Sequence, residues 1–254
     1  MSQIGIERRS SVAIVEMRRP PDNYFDLGLI RDIADAFDDL DDDPGTRCIL
    51  LCSEGRNFCA GANFQSAASE GGDRIDPAPV YWEALRLFRV ATPVVAAVQG
   101  GAIGGGLGLA LAADFRVATA ASRFSANFNR LGIHPGFGLS VTAPRLLGAQ
   151  RAAMLFYTGR RLKGDEALAI GLVDQLADEE GLREAALSLC QEIAASAPLA
   201  VVSTRRTLRQ DLVVEIAAAI EHEMGEQRIH FATADFREGV RAMTERRAPD
   251  FTGR

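Results

Sequence analysis

Cys48, Cys52, Cys59 and Cys190 are the only cysteines of this 254-residue chain, and His134, His222 and His230 its only histidines. No Cys-x-x-Cys pair occurs and the histidines share no ligand spacing with the cysteines, which excludes the common zinc motifs; no metal is implied. Cys48 and Cys52 sit in an apolar run and read as small core residues. No apolar run reaches the length of a membrane span, and Met1-Ser2-Gln3-Ile4-Gly5 lacks the basic and apolar regions of a secretion signal, so the expectation is a soluble cytoplasmic protein. Positive charge is in deficit. The 28 Lys and Arg against 34 Asp and Glu leave a net charge of −6 and a pI near 5.2, which argues against nucleic acid or an anionic membrane as partner. A polyanionic ligand has to rely on local arginines.

Glycine, by contrast, is concentrated. A buried-strand pattern, Pro93-Val94-Val95-Ala96-Ala97-Val98, runs into Gly100, Gly101, Gly104, Gly105, Gly106 and Gly108, after which small apolar residues continue at helical spacing. The stretch reads as strand, tight turn and helix N-terminus. Three adjacent glycines clear side chains from the start of that helix, where backbone N–H groups have no partner within it and the helix dipole favours negative charge. A phosphate, carboxylate or oxyanion suits such a place; close helix-to-strand packing accounts for the glycines equally well. No Lys follows them as a phosphate loop needs, and a dinucleotide fingerprint counted from Gly104 or Gly106 ends on Leu109 or Leu111.

With 47% hydrophobic and 24% charged residues, the length suits one α/β domain with a helical appendage. Ile4 to Ile6 and Val12 to Met17 read as a hairpin around Ser10-Ser11. Ile30, Ile33, Ala34, Phe37 and Leu40 mark an amphipathic helix over 29–40, ended by Pro44-Gly45, with Asp35 to Asp43 as surface charge. Thr46 to Cys52 is a buried strand, 66–79 a loop, and 80–90 a helix carrying Trp82, Leu85 and Phe88. The rest is helical: 149–157, 164–170, 180–195, 198–209, 212–228 and 232–245. Leu212, Ile216, Ile220 and Met224 form a stripe longer than one domain needs, which suits subunit contact. Glu221, His222 and Glu223 read as surface charge.

Phe58-Cys59-Ala60-Gly61-Ala62-Asn63, the strand and Gly104-Gly105-Gly106 stand in one order with Asp114-Phe115-Arg116-Val117-Ala118, Leu131-Gly132-Ile133-His134-Pro135-Gly136, Thr158-Gly159-Arg160, Gly171-Leu172-Val173 and Phe236-Arg237-Glu238-Gly239-Val240. In these motifs and their joint spacing the chain resembles the crotonase (enoyl-CoA hydratase/isomerase) superfamily. The resemblance implies an α/β fold, a spiral of ββα repeats over 1–195, with a helical trimerisation region over 196–254 and assembly as a homotrimer or dimer of trimers. It implies a coenzyme A thioester as substrate, with no separate cofactor, and puts two oxyanion-hole N–H groups on Ala62 and Gly105. Ala60 and Gly61 fall where relatives bind the adenine. Arg18, Arg19, Arg56 and Arg246 are candidates for the phosphates. Asn63, Phe64, Gly104, Gly108, Phe128 and Gly136 fall around the acyl group, Asn63 also serving local turn structure, and Asp114 on a shared structural position.

The chain then departs from the family. Hydratases carry two glutamates that activate water, and those positions hold Gly108 and Phe128; isomerases and dehalogenases often carry an aspartate where Gly136 stands. Ordinary hydration is therefore not expected. His134, in the same turn, is the candidate acid or base. Tyr81 falls where the dehalogenase branch has a histidine, and both it and Glu83 read as packing or surface residues. The alternatives are thioester hydrolysis, C–C cleavage or double-bond migration, or an acyl-CoA-binding subunit without chemistry. Phe128 in place of a carboxylate suggests an apolar wall and a greasy or aromatic acyl group.

Overall fold

The computed structural model describes residues 3–63 and 76–254. Its strands are β1 (Ile4–Arg9), β2 (Val12–Met17), β3 (Cys48–Ser53), β4 (Val94–Val98), β5 (Gly101–Ile103), β6 (Phe115–Thr119), β7 (Arg123–Ser125), β8 (Leu162–Lys163) and β9 (Gln175–Ala177). Its helices are α1 (Leu27–Asp41), α2 (Ala78–Arg89), α3 (Gly105–Ala112), α4 (Leu139–Leu147), α5 (Ala149–Thr158), α6 (Gly164–Ala169), α7 (Leu182–Ala194), α8 (Pro198–Leu208), α9 (Leu212–Phe231) and α10 (Ala234–Glu245). No single helix among the described residues is long and apolar enough to cross a membrane.

The larger sheet runs β1-β2-β3-β4-β6-β9, antiparallel in the first hairpin and parallel thereafter. Every residue of β2, β3 and β4 is buried, as expected of parallel strands covered on both faces. Side-chain alternation splits them cleanly. Ala13, Val15, Met17, Ile49, Leu51, Val94 and Ala96 face the main core, while Val12, Ile14, Cys48, Leu50, Cys52 and Val95 face α7 through Leu182, Ala186, Leu187 and Cys190. Cys48 and Cys52 are thus the small core residues their setting suggests.

The smaller sheet, β5-β7-β8, builds the repeat. A long strand, a short one in the second sheet and a helix follow one another as β4-β5-α3, and β6-β7 leads to a 3-10 helix at Asn127–Leu131. This is the α/β spiral of ββα units that the motifs imply. The boundaries shift by a residue or two, and the short strands β5, β7, β8 and β9 lie below the length at which periodicity signals a strand. Most of the 66–79 loop, and Phe64, lie outside the described residues.

Two expectations for the C-terminal helices fail. The stripe Leu212, Ile216, Ile220 and Met224 packs into the chain's own core, with Ile216 and Ile220 fully buried, rather than standing free for a subunit. Glu223, expected at the surface, is 0% exposed. Trp82, by contrast, is 41% exposed rather than packed with Leu85 and Phe88.

Candidate active site

At the start of α3, Gly104 adopts φ 56, ψ −123, a conformation open only to glycine, and donates its N–H to Ser125 O at 2.8 Å. A Cβ on Gly106 would lie 2.2 Å from the Cys59 carbonyl oxygen, so backbone meets backbone there. The segment leading to Ala62 is fixed against this helix start. Cys59 N donates to Gly101 O and Ile103 N to Cys59 O, both at 3.0 Å, and Gly61 turns with φ 90 where a Cβ would lie 2.8 Å from Ile103 O. Ala62 bridges to Phe25, whose N–H donates to Gly61 O. Neither the Ala62 nor the Gly105 N–H has an acceptor among the described residues. Two free donors are thus held on adjoining rigid segments.

Aromatic rings back this place. A Cβ on Gly105 would lie 2.4 Å from the Phe25 ring; Phe137 stands edge-on to Phe25 at 5.7 Å and to Tyr81 at 6.2 Å. Phe128 is buried beside Gly104. At Gly108 and Gly136, two of the positions where the resemblance leads one to expect a carboxylate, the side-chain space is filled from elsewhere. A Cβ on Gly108 would lie 2.7 Å from Phe137, and one on Gly136 would lie 2.0 Å from Tyr81 Oη and 2.6 Å from Gln227 Nε2. Gln227 Nε2 donates to His134 O at 2.8 Å, which leaves its Oε1 to accept from Tyr81 Oη at 3.1 Å. Burial pushes the Tyr81 hydroxyl well above the usual phenol range, so it stays a donor.

His134 is held differently. Its Nδ1 lies 2.7 Å from Pro135 O, its ring is edge-on to His222 at 5.6 Å, and its N–H donates to His230 Nδ1. It lines a groove of about 570 Å³ with His230, Tyr157, Asp235 and Phe251, and no described contact joins its imidazole to Ala62 or Gly105. Of the arginines, Arg18 pairs with Glu16 and Glu54, Arg19 with Asp26, and Arg56, with a side chain 73% exposed, with Asp22. Ala60 N donates to Asp22 O, which ties that ion pair to the Ala60-Gly61-Ala62 segment. Arg246 ends α10 in the left-handed region, exposed, with no described contact to Arg18 or Arg56.

Glu223 is the residue that sequence patterning missed. Its carboxylate accepts from Gly138 N, Ser140 N and Ser140 Oγ at the start of α4. Burial pushes its carboxyl above the ordinary range, against the opposing pull of these donors. Its spacing held the signal, since it stands three residues after Ile220 and seven after Ile216 on the buried stripe.

A ββα spiral whose glycine-opened helix meets a second small-residue segment at two free N–H groups defines a crotonase-type protein. The chain belongs to the enoyl-CoA hydratase/isomerase family, whose sequence profile matches residues 7–254. It is 32% identical over 263 residues, 98% of this chain and 96% of the other, to the enoyl-CoA hydratase EchA19 of Mycobacterium tuberculosis. It is 31% identical to the crotonyl-CoA hydratase of Syntrophomonas wolfei, covering 98% of this chain and 97% of that one. The crystal structure of an enoyl-CoA hydratase/isomerase from Pseudoalteromonas atlantica superposes with a TM-score of 0.88 at 28% identity, over 98% of this chain and 100% of that one.

Proposed function

We propose that the chain acts on an acyl-CoA thioester, polarising its carbonyl through the backbone N–H groups of Ala62 and Gly105, and that it does so without two-carboxylate activation of water. The free pair of N–H groups carries this reading. Fixed donors aimed at a developing oxyanion or enolate oxygen contribute on the order of 3 kcal/mol each to transition-state stabilisation, and being held beforehand they need no reorganisation. The absence of carboxylates at Gly108, Phe128 and Gly136 supports the second half, because adding water across a double bond needs groups that hold it and move its proton. Double-bond migration, thioester hydrolysis and C–C cleavage remain as the reactions such a site serves.

In this reading Ala60, Gly61, Arg18 and Arg56 receive the coenzyme, Asn63, Gly104 and Phe128 border the acyl group, and Arg246 serves a neighbouring subunit's ligand in a trimer or dimer of trimers. His134 is the candidate proton carrier. The test is a panel of enoyl-, hydroxyacyl-, branched and aromatic acyl-CoAs, followed for binding by calorimetry and for conversion by mass spectrometry, with the wild type and His134→Ala. Conversion of a panel member other than by hydration is expected. Efficient hydration of crotonyl-CoA that survives His134→Ala overturns the carboxylate argument, and binding without any conversion makes the chain a non-catalytic acyl-CoA subunit.

A further inference from the structure

Phe137 is fully buried although its φ is 65, and Gly138 follows at φ 70. A bulky residue keeps that backbone conformation only where its surroundings fix it. Glu223 holds the backbone just after Phe137, at Gly138 and Ser140. From α9, 85 residues away, its Oε2 accepts the Gly138 N–H at 2.8 Å while Oε1 accepts the Ser140 N–H at 2.9 Å and the Ser140 hydroxyl at 2.6 Å. The same carboxylate sits at the positive end of α4, which adds to its hold. With the turn held, the Phe137 ring lies against Gly108 and 3.5 Å from where a Gly105 Cβ would stand. Gly105 and Gly108 are three residues apart and share one face of α3. The ring therefore covers that face from the free N–H to one turn deeper.

We propose that Phe137, positioned by Glu223, closes the acyl end of the site, so that the chain takes coenzyme A thioesters of short, compact acyl groups and turns away long ones. The inference rests on the acyl-CoA reading and adds the substrate class to it. Past its first carbons an acyl chain meets Phe137, Phe25 or Tyr81, which are 0%, 8% and 7% exposed and packed against one another. Tyr81 is itself tied through Gln227 to His134 O, so the wall does not swing aside as one free side chain would. Phe137 sets the length limit, and Glu223 is a positioning residue that acts through it.

Calorimetric titration with CoA and with acetyl-, butyryl-, hexanoyl- and octanoyl-CoA tests this on the full chain and on Phe137→Ala, Phe137→Gly, Glu223→Gln and Glu223→Asp. Phe137→Gly suits the φ at that position and guards against a failure of Phe137→Ala to fold. The wild type is expected to bind octanoyl-CoA at least about tenfold more weakly than butyryl-CoA, and the Phe137 variants to lose that gap. Glu223→Gln is expected to narrow the gap, to add nothing in combination with Phe137→Gly, and Glu223→Asp to restore it. Equal binding of butyryl- and octanoyl-CoA by the wild type, or an unchanged gap in the Phe137 variants, overturns the proposal. A Glu223→Gln variant that loses stability but keeps the gap removes Glu223 from it. Failure of CoA and every thioester to bind overturns instead the acyl-CoA reading beneath.

Discussion

The Phe137 ring occupies the space that a side chain on Gly108 would need, its Cβ, Cγ and Cδ1 all 2.7 Å from where a Gly108 Cβ would lie. Gly108 lies inside α3, where replacement by Ala gains about 1 kcal/mol in helix propensity. Overpacking a filled core costs about 1–3 kcal/mol. Gly108→Ala is therefore expected to lower stability in urea unfolding, and the same change made in Phe137→Gly to raise it. A stabilising Gly108→Ala in the wild type would mean that the ring yields freely.

Tyr81 ends a buried chain of hydrogen bonds that runs through Gln227 to the carbonyl of His134. Tyr81→Phe removes the one donor that Gln227 Oε1 has among the described residues and is expected to cost about 1–3 kcal/mol, the desolvation penalty of a buried polar group left unmet. The reverse relation holds at Gly136. Gly136→Ala forces its Cβ onto Tyr81 Oη, so part of its cost should vanish in the Tyr81→Phe background. Strict additivity of the two changes in a double-mutant cycle would show that they do not meet.

That Gly108, Phe128 and Gly136 carry no carboxylate was legible in the sequence. What fills their space was not. Phe137 and Tyr81 are 56 residues apart in number and meet only once α2 and the α4 turn are packed, and no period-2 or period-3.6 pattern encodes that. Glu223 misleads for another reason. Flanked by Glu221 and His222 it looks like surface charge, yet a 3.6-residue period from Ile216 and Ile220 lands on it. Leu212 to Met224 look like an unpaired stripe only because the core they cover is assembled from distant segments.

Gly106 measures how tightly the two N–H segments are clamped. Its absent Cβ would stand 2.2 Å from a carbonyl oxygen of the Cys59 backbone, which has no rotamer to offer in relief. Gly106→Ala should separate Ala62 from Gly105, lower stability by about 2 kcal/mol or more, and weaken butyryl-CoA binding at least about tenfold in whatever fraction folds. Calorimetry on the folded fraction checks this; wild-type affinity there would uncouple the clamp from binding.

Asp114 joins the sheet to the C-terminal helices by charge. It accepts from Val94 N at 2.9 Å, Arg205 Nε at 2.8 Å and Arg209 Nη1 at 2.6 Å, nearly all of it out of water. Burial pushes its carboxyl up, but the Arg205 and Arg209 guanidinium groups outweigh this and hold it below 3.8, its ordinary value. The unfolded chain therefore takes up this proton at a higher pH than the folded one does. The stabilisation is complete above 3.8 and is lost as pH falls through the lower, folded value. Asp114→Asn leaves two part-buried guanidinium groups without their carboxylate and is expected to cost about 3–5 kcal/mol at pH 7. Urea unfolding of both proteins at pH 7 and near pH 3 checks the sign: the gap between them should narrow in acid, whereas an equal gap at both pH values would assign the cost of the variant to lost hydrogen-bond geometry rather than to charge.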